Sequence, residues 1–396
     1  MNLAFFHTLG CTAECDHCIT HAGPRVRRTM PFEEARRIVQ MAARSRYITG
    51  IIFTGGENLI HRRQILELVR ECTELGLKTE IITNGYWATR PSAAAEIAGA
   101  FRKAGLGRMH LSIDRYHLPY VSAERIHVAL QALGDAGFLR EIACVVEHDH
   151  DVPIRPHVTE ILAHGGSLPA VGDEAGIRGF LETLRTSWPR ELLGLLERYG
   201  IDPAETIFVE EAVALRDRLR AVELADHIVQ SRILVQYQGM ATEGRGRILL
   251  GKEGEPRHVD LLPDDPCESV GRNPTVIPEG GFSPCCSSWV NFPGQILGQL
   301  FSEELDDVLD RMRNDPMVDF MYHQGPRALA KYLHDCGHAL PDRYTHPCHT
   351  CGVLLESYSR EELMKHIEAF YLQHPERRVL TARGVRLVPE STLPIP

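Results

Sequence analysis

Short apolar runs typical of β-strands alternate with longer segments of helical periodicity along the N-terminal part of this 396-residue chain. The strand-like runs are residues 3–9, 51–54, 79–83, 108–113, 142–146 and 233–238. The segments between the first runs carry apolar residues three and four positions apart, with Pro31 near one helix start and Gly76 at one helix end. This alternation is typical of βα units, and it predicts an α/β fold with a parallel sheet.

Each of the first four strand-like runs is followed by polar, cysteine or glycine residues. In order along the chain these are residues 10–18, then Gly55, Gly56 and Glu57, then Asn84 after Thr83, and finally Asp114 after Ser112. In parallel α/β folds the ligand site lies at the carboxyl ends of the strands. We therefore expect these four groups to converge on one site.

The loop after the first strand contains a Cys-x3-Cys-x2-Cys run formed by Cys11, Cys15 and Cys18. Three thiolates leave a metal site one ligand short. A four-iron cluster held by three cysteines keeps one iron open for a further ligand, whereas a structural zinc site takes four closed ligands. His21 would complete such a zinc site, so the spacing alone is compatible with either metal.

In the context of the βα pattern, the chain resembles the radical S-adenosylmethionine (radical SAM) superfamily. The resemblance rests on the cysteine run and on the Gly55-Gly56-Glu57 sequence after the second strand. His17 occupies the position before Cys18, where that family usually has an aromatic residue. The resemblance implies a partial (β/α)6 barrel over residues 1–250, with a [4Fe–4S] cluster on the three cysteines and SAM bound at its open iron.

The same resemblance implies which residues bind SAM. They are His17, Gly55, Gly56, Glu57, Thr83, Asn84, Ser112 and Asp114. Glu57 would hold the methionyl ammonium, and the glycines before it would allow a close approach of the backbone. For the last four of these residues, ordinary turn and capping contacts explain the sequence equally well.

A second group of cysteines lies near the C-terminus. Cys267 and Cys285 bracket Gly280, and Cys348 and Cys351 form a Cys-x2-Cys pair. Four thiolates would close a structural zinc site. The segment also resembles the SPASM and twitch auxiliary-cluster domains of radical SAM enzymes. Residues 353–360 lack the further cysteines of the longer SPASM pattern, which favours the twitch form with one second [4Fe–4S] cluster.

Cys286 and Cys336 are alternative ligands for that second cluster. We expect residues 251–360 to form the auxiliary domain and residues 361–396 to form a helix and a tail. Residues 155–230 exceed the length of one crossover helix and predict a helical insert, which either covers the barrel mouth or packs as additional helices. Cys72 and Cys144 lie on an apolar helix face and in a strand, so we expect both in the core.

Composition limits the partners of the chain. The net charge is −10 and the pI is about 6.1, and Arg25 to Arg28 is the only short basic stretch, so nucleic acid is not expected as a partner. No signal peptide and no apolar run of membrane-spanning length is present, which predicts a cytoplasmic protein without a membrane anchor. The expected partners are a small-molecule or peptide substrate and a reductant such as flavodoxin or ferredoxin.

The resemblance implies a radical SAM oxidoreductase. SAM would be cleaved reductively to a 5′-deoxyadenosyl radical that takes hydrogen from a substrate carbon, with the second cluster as electron acceptor. We expect a small natural-product intermediate as substrate. One alternative is maturation of a ribosomally made peptide. The short stretch of ten residues before Cys11 counts against it, because many such enzymes carry a peptide-recognition domain there. Another alternative is sulfur insertion with the second cluster as sulfur donor. A zinc-binding regulatory module is the alternative from a different class.

Overall fold

The computed structural model describes residues 1–114, 116–138, 140–146, 233–239, 257–258, 266–267, 269–344 and 347–378, with 140–146, 233–239 and 257 described by their backbone. The strands are β1 Asn2–Phe6, β2 Gly50–Thr54, β3 Lys78–Thr83, β4 Arg108–Ser112, β5 Arg140–Val146, β6 Ile233–Gly239, β7 Arg257–His258, β8 Thr275–Val276, β9 Gly281–Ser283, β10 Gly298–Gln299 and β11 Arg343–Tyr344. The helices are α1 Phe32–Arg44, α2 Arg62–Glu74, α3 Pro91–Lys103, α4 Ala123–Asp135, α5 Leu305–Arg313, α6 Pro316–His323, α7 Gly325–Asp335, α8 Pro347–Ser357 and α9 Arg360–Gln373.

The predicted α/β class with parallel strands is confirmed. Strands β1 to β6 correspond to the six predicted strand-like runs, and most of them match those runs to within two residues. The first strand is shorter than predicted, since it ends at Phe6, and beyond it Thr8 and Gly10 form isolated bridges with Thr29 and Gly23, respectively. The predicted insert at 155–230 and the C-terminal tail after residue 378 lie outside the described residues.

Contacts divide the chain into two compact units. The first contains residues 1–81, 104–106 and the described part of 241–396. Its sheet runs β10-β9-β8-β1-β2-β3, with β1 parallel to both β2 and β8. All five residues of β1 are buried, as expected for an apolar strand with neighbours on both sides. Residues from the C-terminal part thus continue the sheet that begins at the N-terminus.

The helices of the first unit follow from their apolar stripes. In α1 the buried positions Ala35, Ile38, Val39 and Ala42 recur at helical spacing. Two acidic residues in the first turn and Arg44 in the last turn suit the helix dipole. Helix α2 buries the face that contains Cys72, which is fully buried, so the prediction of a core role for Cys72 is confirmed. The side chain of Cys144 lies outside the described part.

Polar contacts join helix α5 to residues 45–47, which directly follow α1. Asp310 on α5 accepts from Arg46 and from the Tyr47 hydroxyl, and Asp306 accepts from Ser45. Arg28 forms a two-pronged ion pair with Glu279, with distances of 2.7 and 2.8 Å. Both partners of that pair are about half exposed, so we assign it under about 1 kcal/mol. Strand pairing and the buried core therefore contribute most of the stabilisation between the N-terminal and C-terminal parts of the first unit.

The second unit contains residues 82–103 and the described part of 107–240. Its strands β4, β5 and β6 are parallel and adjacent in that order, with Leu111 opposite Ile142 and Ile142 opposite Val235. Helices α3 and α4 pack against each other. Among the described helices of the chain, none has the length and the apolar character that crossing a bilayer requires.

His7 follows β1 and is fully buried. Burial lowers its pKa to about 4, while a hydrogen bond to Gln64 at 3.1 Å opposes the shift. The His7 imidazole therefore takes up a proton near pH 6.5 in the unfolded chain but only near pH 4 in the folded chain. We expect the free energy of unfolding to fall by on the order of 2–3 kcal/mol as the pH drops through that window.

Denaturant unfolding between pH 7.5 and pH 4 measures this effect. In a His7→Asn variant the pH dependence should flatten by that amount, while a His374→Asn control keeps the native slope. Parallel pH profiles for the native chain and the His7 variant would contradict the assignment.

Candidate metal centre

The loop that carries the first three cysteines is closed by backbone hydrogen bonds. The Cys11 N–H donates to the Gly23 carbonyl at 3.1 Å, and the Gly23 N–H donates to Leu9 at 3.2 Å. Within the loop, the Cys18 N–H donates to the Cys15 carbonyl at 3.1 Å. The loop therefore returns to the end of β1 and holds its cysteines at the end of that strand.

The three thiols lie near one another in a largely apolar setting. Cys15 is buried, and Cys11 and Cys18 are partly buried. Burial raises the pKa of Cys11 to about 12, and the nearby charges of Glu57, Cys15 and Cys18 raise it further. A bound metal cluster reverses this effect, because its positive charge stabilises thiolates that the bare site disfavours. The donor set and its surroundings therefore fit an iron–sulfur cluster.

The Gly55–Glu57 turn packs directly against this loop. The Gly56 N–H donates to Thr8 at 2.8 Å, and the Glu57 N–H donates to Gly10 at 2.9 Å. A Cβ atom on Gly56 would lie 2.3 Å from the Gly10 carbonyl oxygen, which no real contact allows. Gly55 adopts a φ of +104°, in the region that favours glycine. Both glycines are therefore needed for the approach of two backbone segments.

Glu57 is 2% exposed, and its carboxylate accepts a hydrogen bond from the Leu59 N–H at 3.0 Å. This contact caps the short helical turn Asn58–His61. His17 is also buried, whereas His21 is exposed and has a φ of +53°. The first unit thus brings Glu57 close to the cysteine loop, while His21 sits on its surface. The ligand roles assigned to these residues from the sequence stay predictions.

The remaining SAM-binding candidates lie in the second unit. The Thr83 hydroxyl accepts from the Gly85 N–H and from the Trp87 indole, both at 3.2 Å, and Asn84 accepts from the Tyr86 N–H at 3.0 Å. These are turn contacts, which the sequence offered as the alternative explanation. Ser112 ends β4 and is partly buried. Contacts of these residues with SAM, and their convergence with the cysteine loop, stay predictions.

Asp114 holds the turn after β4. One carboxylate oxygen accepts from the Tyr116 and His117 N–H groups at 2.9 and 3.0 Å, and the other lies 2.8 Å from His117 Nδ1. Asp114 is 3% exposed. Sequence reasoning assigned His117 no catalytic role, although its spacing of three from Asp114 was a visible signal for the pair. The carboxylate holds the imidazole ring of His117 in one orientation, with Nδ1 toward Asp114.

Three of the later cysteines are also close together. Burial raises the pKa of Cys285 well above its usual value, and the neighbouring Cys286 and Cys267 add to that shift. The pKa of Cys286 is raised by burial and by Cys267. The Cys267 N–H donates to the Met321 carbonyl on α6 at 3.0 Å. These contacts define a C-terminal cysteine group in the first unit.

Helix α8 carries Cys348 and Cys351, one turn apart. The Ser288 hydroxyl, three residues after Cys285, donates to the Cys348 carbonyl at 3.0 Å and so ties α8 to the C-terminal cysteine group. Cys336 is exposed at the end of α7, where it interacts with Tyr332. Of the two alternative ligands, Cys286 therefore lies within the group. The signal for this was its position beside Cys285.

Residues 5–144 match the family model of the Radical SAM superfamily. This part of the chain belongs to the radical SAM superfamily. Members of that superfamily use a [4Fe–4S] cluster and SAM, which agrees with the fit of the N-terminal cysteine loop to such a cluster. The matched segment contains that loop and the Gly55–Glu57 turn, as well as the turns after β3 and β4.

Curated relatives of the radical SAM segment have different activities in their descriptions. A protein described for peptide biosynthesis, YydG of Bacillus subtilis (strain 168), is 28% identical over 121 residues, which is 31% of this chain and 38% of YydG. A relative from Pyrococcus abyssi, described as a GTP 3′,8-cyclase, is 32% identical over 113 residues, which is 28% of this chain and 34% of the relative. The matches thus span only about a third of these relatives' length.

Two solved structures with bound AdoMet are also similar. A structure of anSMEcpe with AdoMet and the Cp18Cys peptide covers 94% of this chain and 97% of that chain, at 12% identity and a TM-score of 0.44. A structure of BtrN with AdoMet and 2-DOIA covers 82% and 87%, at 13% identity and a TM-score of 0.36.

The contact of Gly56 with the loop gives a direct test of the site. A Gly56→Ala substitution must push the Gly55–Glu57 turn away from Gly10, which disturbs the radical SAM cysteine loop. We expect the reconstituted variant to bind markedly less iron and to lose about 2 kcal/mol or more in unfolding free energy.

Gly99→Ala is the matched control. Gly99 lies inside α3, and a Cβ atom at this position would meet no other atom within 4 Å, so alanine should preserve iron content and add roughly 0.5–1 kcal/mol of helix stability. Iron analysis and denaturant unfolding measure both variants. Equal iron content in the Gly56 variant and the native chain would refute the role of this contact.

Proposed function

We propose that this chain is a radical SAM enzyme in which Cys11, Cys15 and Cys18 hold the SAM-cleaving [4Fe–4S] cluster. The proposal rests on one observation above all. The cysteine loop and the Gly55–Glu57 turn, which are far apart in sequence, are joined by the hydrogen bonds of Gly56 and Glu57. A zinc site would need no such turn, so their joint presence favours the radical SAM interpretation.

In the proposed reaction, the residues of this chain bind the cluster and SAM and orient them for cleavage. When bound, a reduced four-iron cluster supplies the electron that splits SAM into methionine and a 5′-deoxyadenosyl radical. Glu57 offers a buried carboxylate beside the loop, held in direction by the Leu59 N–H, which suits the ammonium of SAM. Leu9, Ala13 and Ala22 are buried around the loop and exclude water from it.

We also propose a second [4Fe–4S] cluster in the C-terminal cysteine group. Its ligands are Cys267, Cys285, Cys348 and Cys351, with Cys286 as the alternative to one of them. The mutual influence of the Cys267, Cys285 and Cys286 thiols and the Ser288 contact to Cys348 support this set. Four protein ligands leave no open iron, which suits electron transfer.

For the reaction we propose net oxidation of a substrate carbon. The substrate would lose one hydrogen atom to the SAM-derived radical and one proton to solvent. A [4Fe–4S] cluster held by the C-terminal cysteine group would supply the acceptor for the remaining electron. We propose a small natural-product intermediate as the substrate. A reductant such as flavodoxin or ferredoxin would supply the electron for SAM cleavage.

Peptide maturation is the second candidate. It is favoured by the relative YydG, which is described for peptide biosynthesis. The two candidates differ in the substrate that gives up the hydrogen atom, which is a small metabolite in one and a peptide in the other. A protease-sensitive substrate in a size-fractionated extract of the source cells would establish the peptide class, and a protease-resistant one would establish the small-metabolite class.

The first prediction of the proposal concerns SAM cleavage. The chain, reconstituted without oxygen and reduced, should convert SAM to 5′-deoxyadenosine. Replacing Cys11, Cys15 and Cys18 by alanine removes the thiolates that hold the cluster, so product should fall to background. Chromatography quantifies 5′-deoxyadenosine.

Cys72→Ala serves as the control, because Cys72 is a buried core residue of α2 away from both cysteine groups in sequence. It should keep product formation at a native level per iron bound. A reconstituted native chain that carries iron and yields no 5′-deoxyadenosine would overturn the proposal. A chain that takes up zinc alone would favour a binding module.

The second prediction concerns the number of clusters. A Cys348→Ala/Cys351→Ala variant should lose about half of the iron of the native chain, from about eight to about four atoms, and keep the N-terminal cluster. Cys336→Ala should keep the native iron content, because Cys336 is exposed. Iron and sulfide analysis decides the matter, and unchanged iron in the double variant would exclude these ligands.

A further inference from the structure

The segment that follows Cys285 contacts both cysteine regions of the first unit. We call residues 285–291 the bridge segment. It ends in the helical turn Ser288–Asn291, of which Ser288, Trp289 and Val290 are buried. Trp289 is 1% exposed and is among the largest fully buried side chains of the described chain. The bridge segment is therefore a packed element with a fixed position in the first unit.

Two hydrogen bonds leave the bridge segment in different directions. The Asn291 side-chain Nδ2 donates to the Ile19 carbonyl at 2.8 Å, and the Ser288 hydroxyl donates to the Cys348 carbonyl at 3.0 Å. Ile19 directly follows Cys18, the last cysteine of the N-terminal loop. Cys348 is the first cysteine of α8. A short route of covalent and hydrogen bonds thus joins the backbone at Cys18 to the backbone at Cys348.

Apolar packing joins the same regions. Val290 of the bridge segment and Ile277 form one buried cluster with Ala4, Phe6, Leu9 and Ala22. Three cysteines pack against this cluster, namely Cys11 and Cys18 of the N-terminal loop and Cys286 of the bridge segment. Because protein interiors are close-packed, a shift of one set of cysteines strains the support of the other.

We propose that the bridge segment couples the two cysteine sites, so that filling the C-terminal site orders the N-terminal loop, with Asn291 as the positioning residue. This inference rests on the proposed function, since it requires both sites to bind clusters. Metal binding fixes its ligands and stabilises the surrounding fold. A filled C-terminal site fixes Cys285 and Cys348, and thereby the bridge segment from which Asn291 holds the Ile19 carbonyl.

Amide hydrogen exchange of peptides covering residues 11–23 is the readout, since it reports the order of the loop independently of catalysis. In the native chain, we expect exchange of these amides to be slower with both sites filled than in the Cys348→Ala/Cys351→Ala variant with the N-terminal site filled. Asn291→Ala in the fully loaded chain should speed exchange about three- to tenfold, the effect of one lost hydrogen bond.

Asn291→Asp tests the donor alone, because it keeps the size of the side chain and removes the Nδ2 group. It should resemble Asn291→Ala. Asn314→Ala is the control, since Asn314 also donates to a backbone carbonyl, that of Asp310 at 2.7 Å, but on an exposed helix end. It should leave exchange of the loop unchanged.

A combined variant distinguishes coupling from a purely local hydrogen bond. Adding Asn291→Ala to the Cys348→Ala/Cys351→Ala chain should give little further acceleration, because the route is already broken at its other end. Fully additive effects, or native exchange in both Asn291 variants, would overturn the coupling.

Iron analysis and 5′-deoxyadenosine formation on the same native sample separate this inference from the proposed function. A native chain without iron overturns the proposed function, and the coupling with it. A native chain that holds both clusters and cleaves SAM, with loop exchange indifferent to Asn291, overturns the coupling alone.

Discussion

Two backbone hydrogen bonds, from the Gly56 and Glu57 N–H groups to Thr8 and Gly10, hold together the parts on which the candidate site depends. They exist because Gly56 has no side chain, since any Cβ atom would collide with the Gly10 carbonyl. Through them the end of β2 fixes the loop after β1. The three cysteines of that loop thereby gain a defined position next to a buried carboxylate, although the loop itself has little regular structure.

The pairing of β8 with β1 extends this arrangement to the C-terminal half. Only two residues of β8 take part, Thr275 and Val276, yet both are fully buried and face a strand with no exposed residue. The pairing brings the segment before Cys285 into the first unit. As a result, cysteines from both ends of the sequence pack on one apolar cluster.

Electrostatics works against the bare cysteine sites. Burial raises the pKa values of Cys11, Cys285 and Cys286, and their neighbours add to the effect. A buried group of thiols is therefore a poor set of anions unless a positive metal centre is present. This constraint links the stability of both regions to metal uptake. It also explains why a packed element between them, the bridge segment, matters for both.

The sequence by itself determined the α/β class, the boundaries of most of the strands β1 to β6 and the core role of Cys72, because alternating strand and helix periods and apolar spacing are local signals. It also determined the family, through the spacing of Cys11, Cys15 and Cys18 and the Gly55-Gly56-Glu57 turn. Which of Cys286 and Cys336 lies beside the other late cysteines, and the pairing of Asp114 with His117, became visible only in the structure. The tertiary structure alone decided that β8 joins β1 and that Asn291 reaches Ile19. These contacts link residues more than 250 positions apart, and no local periodicity records which distant segments will pack together.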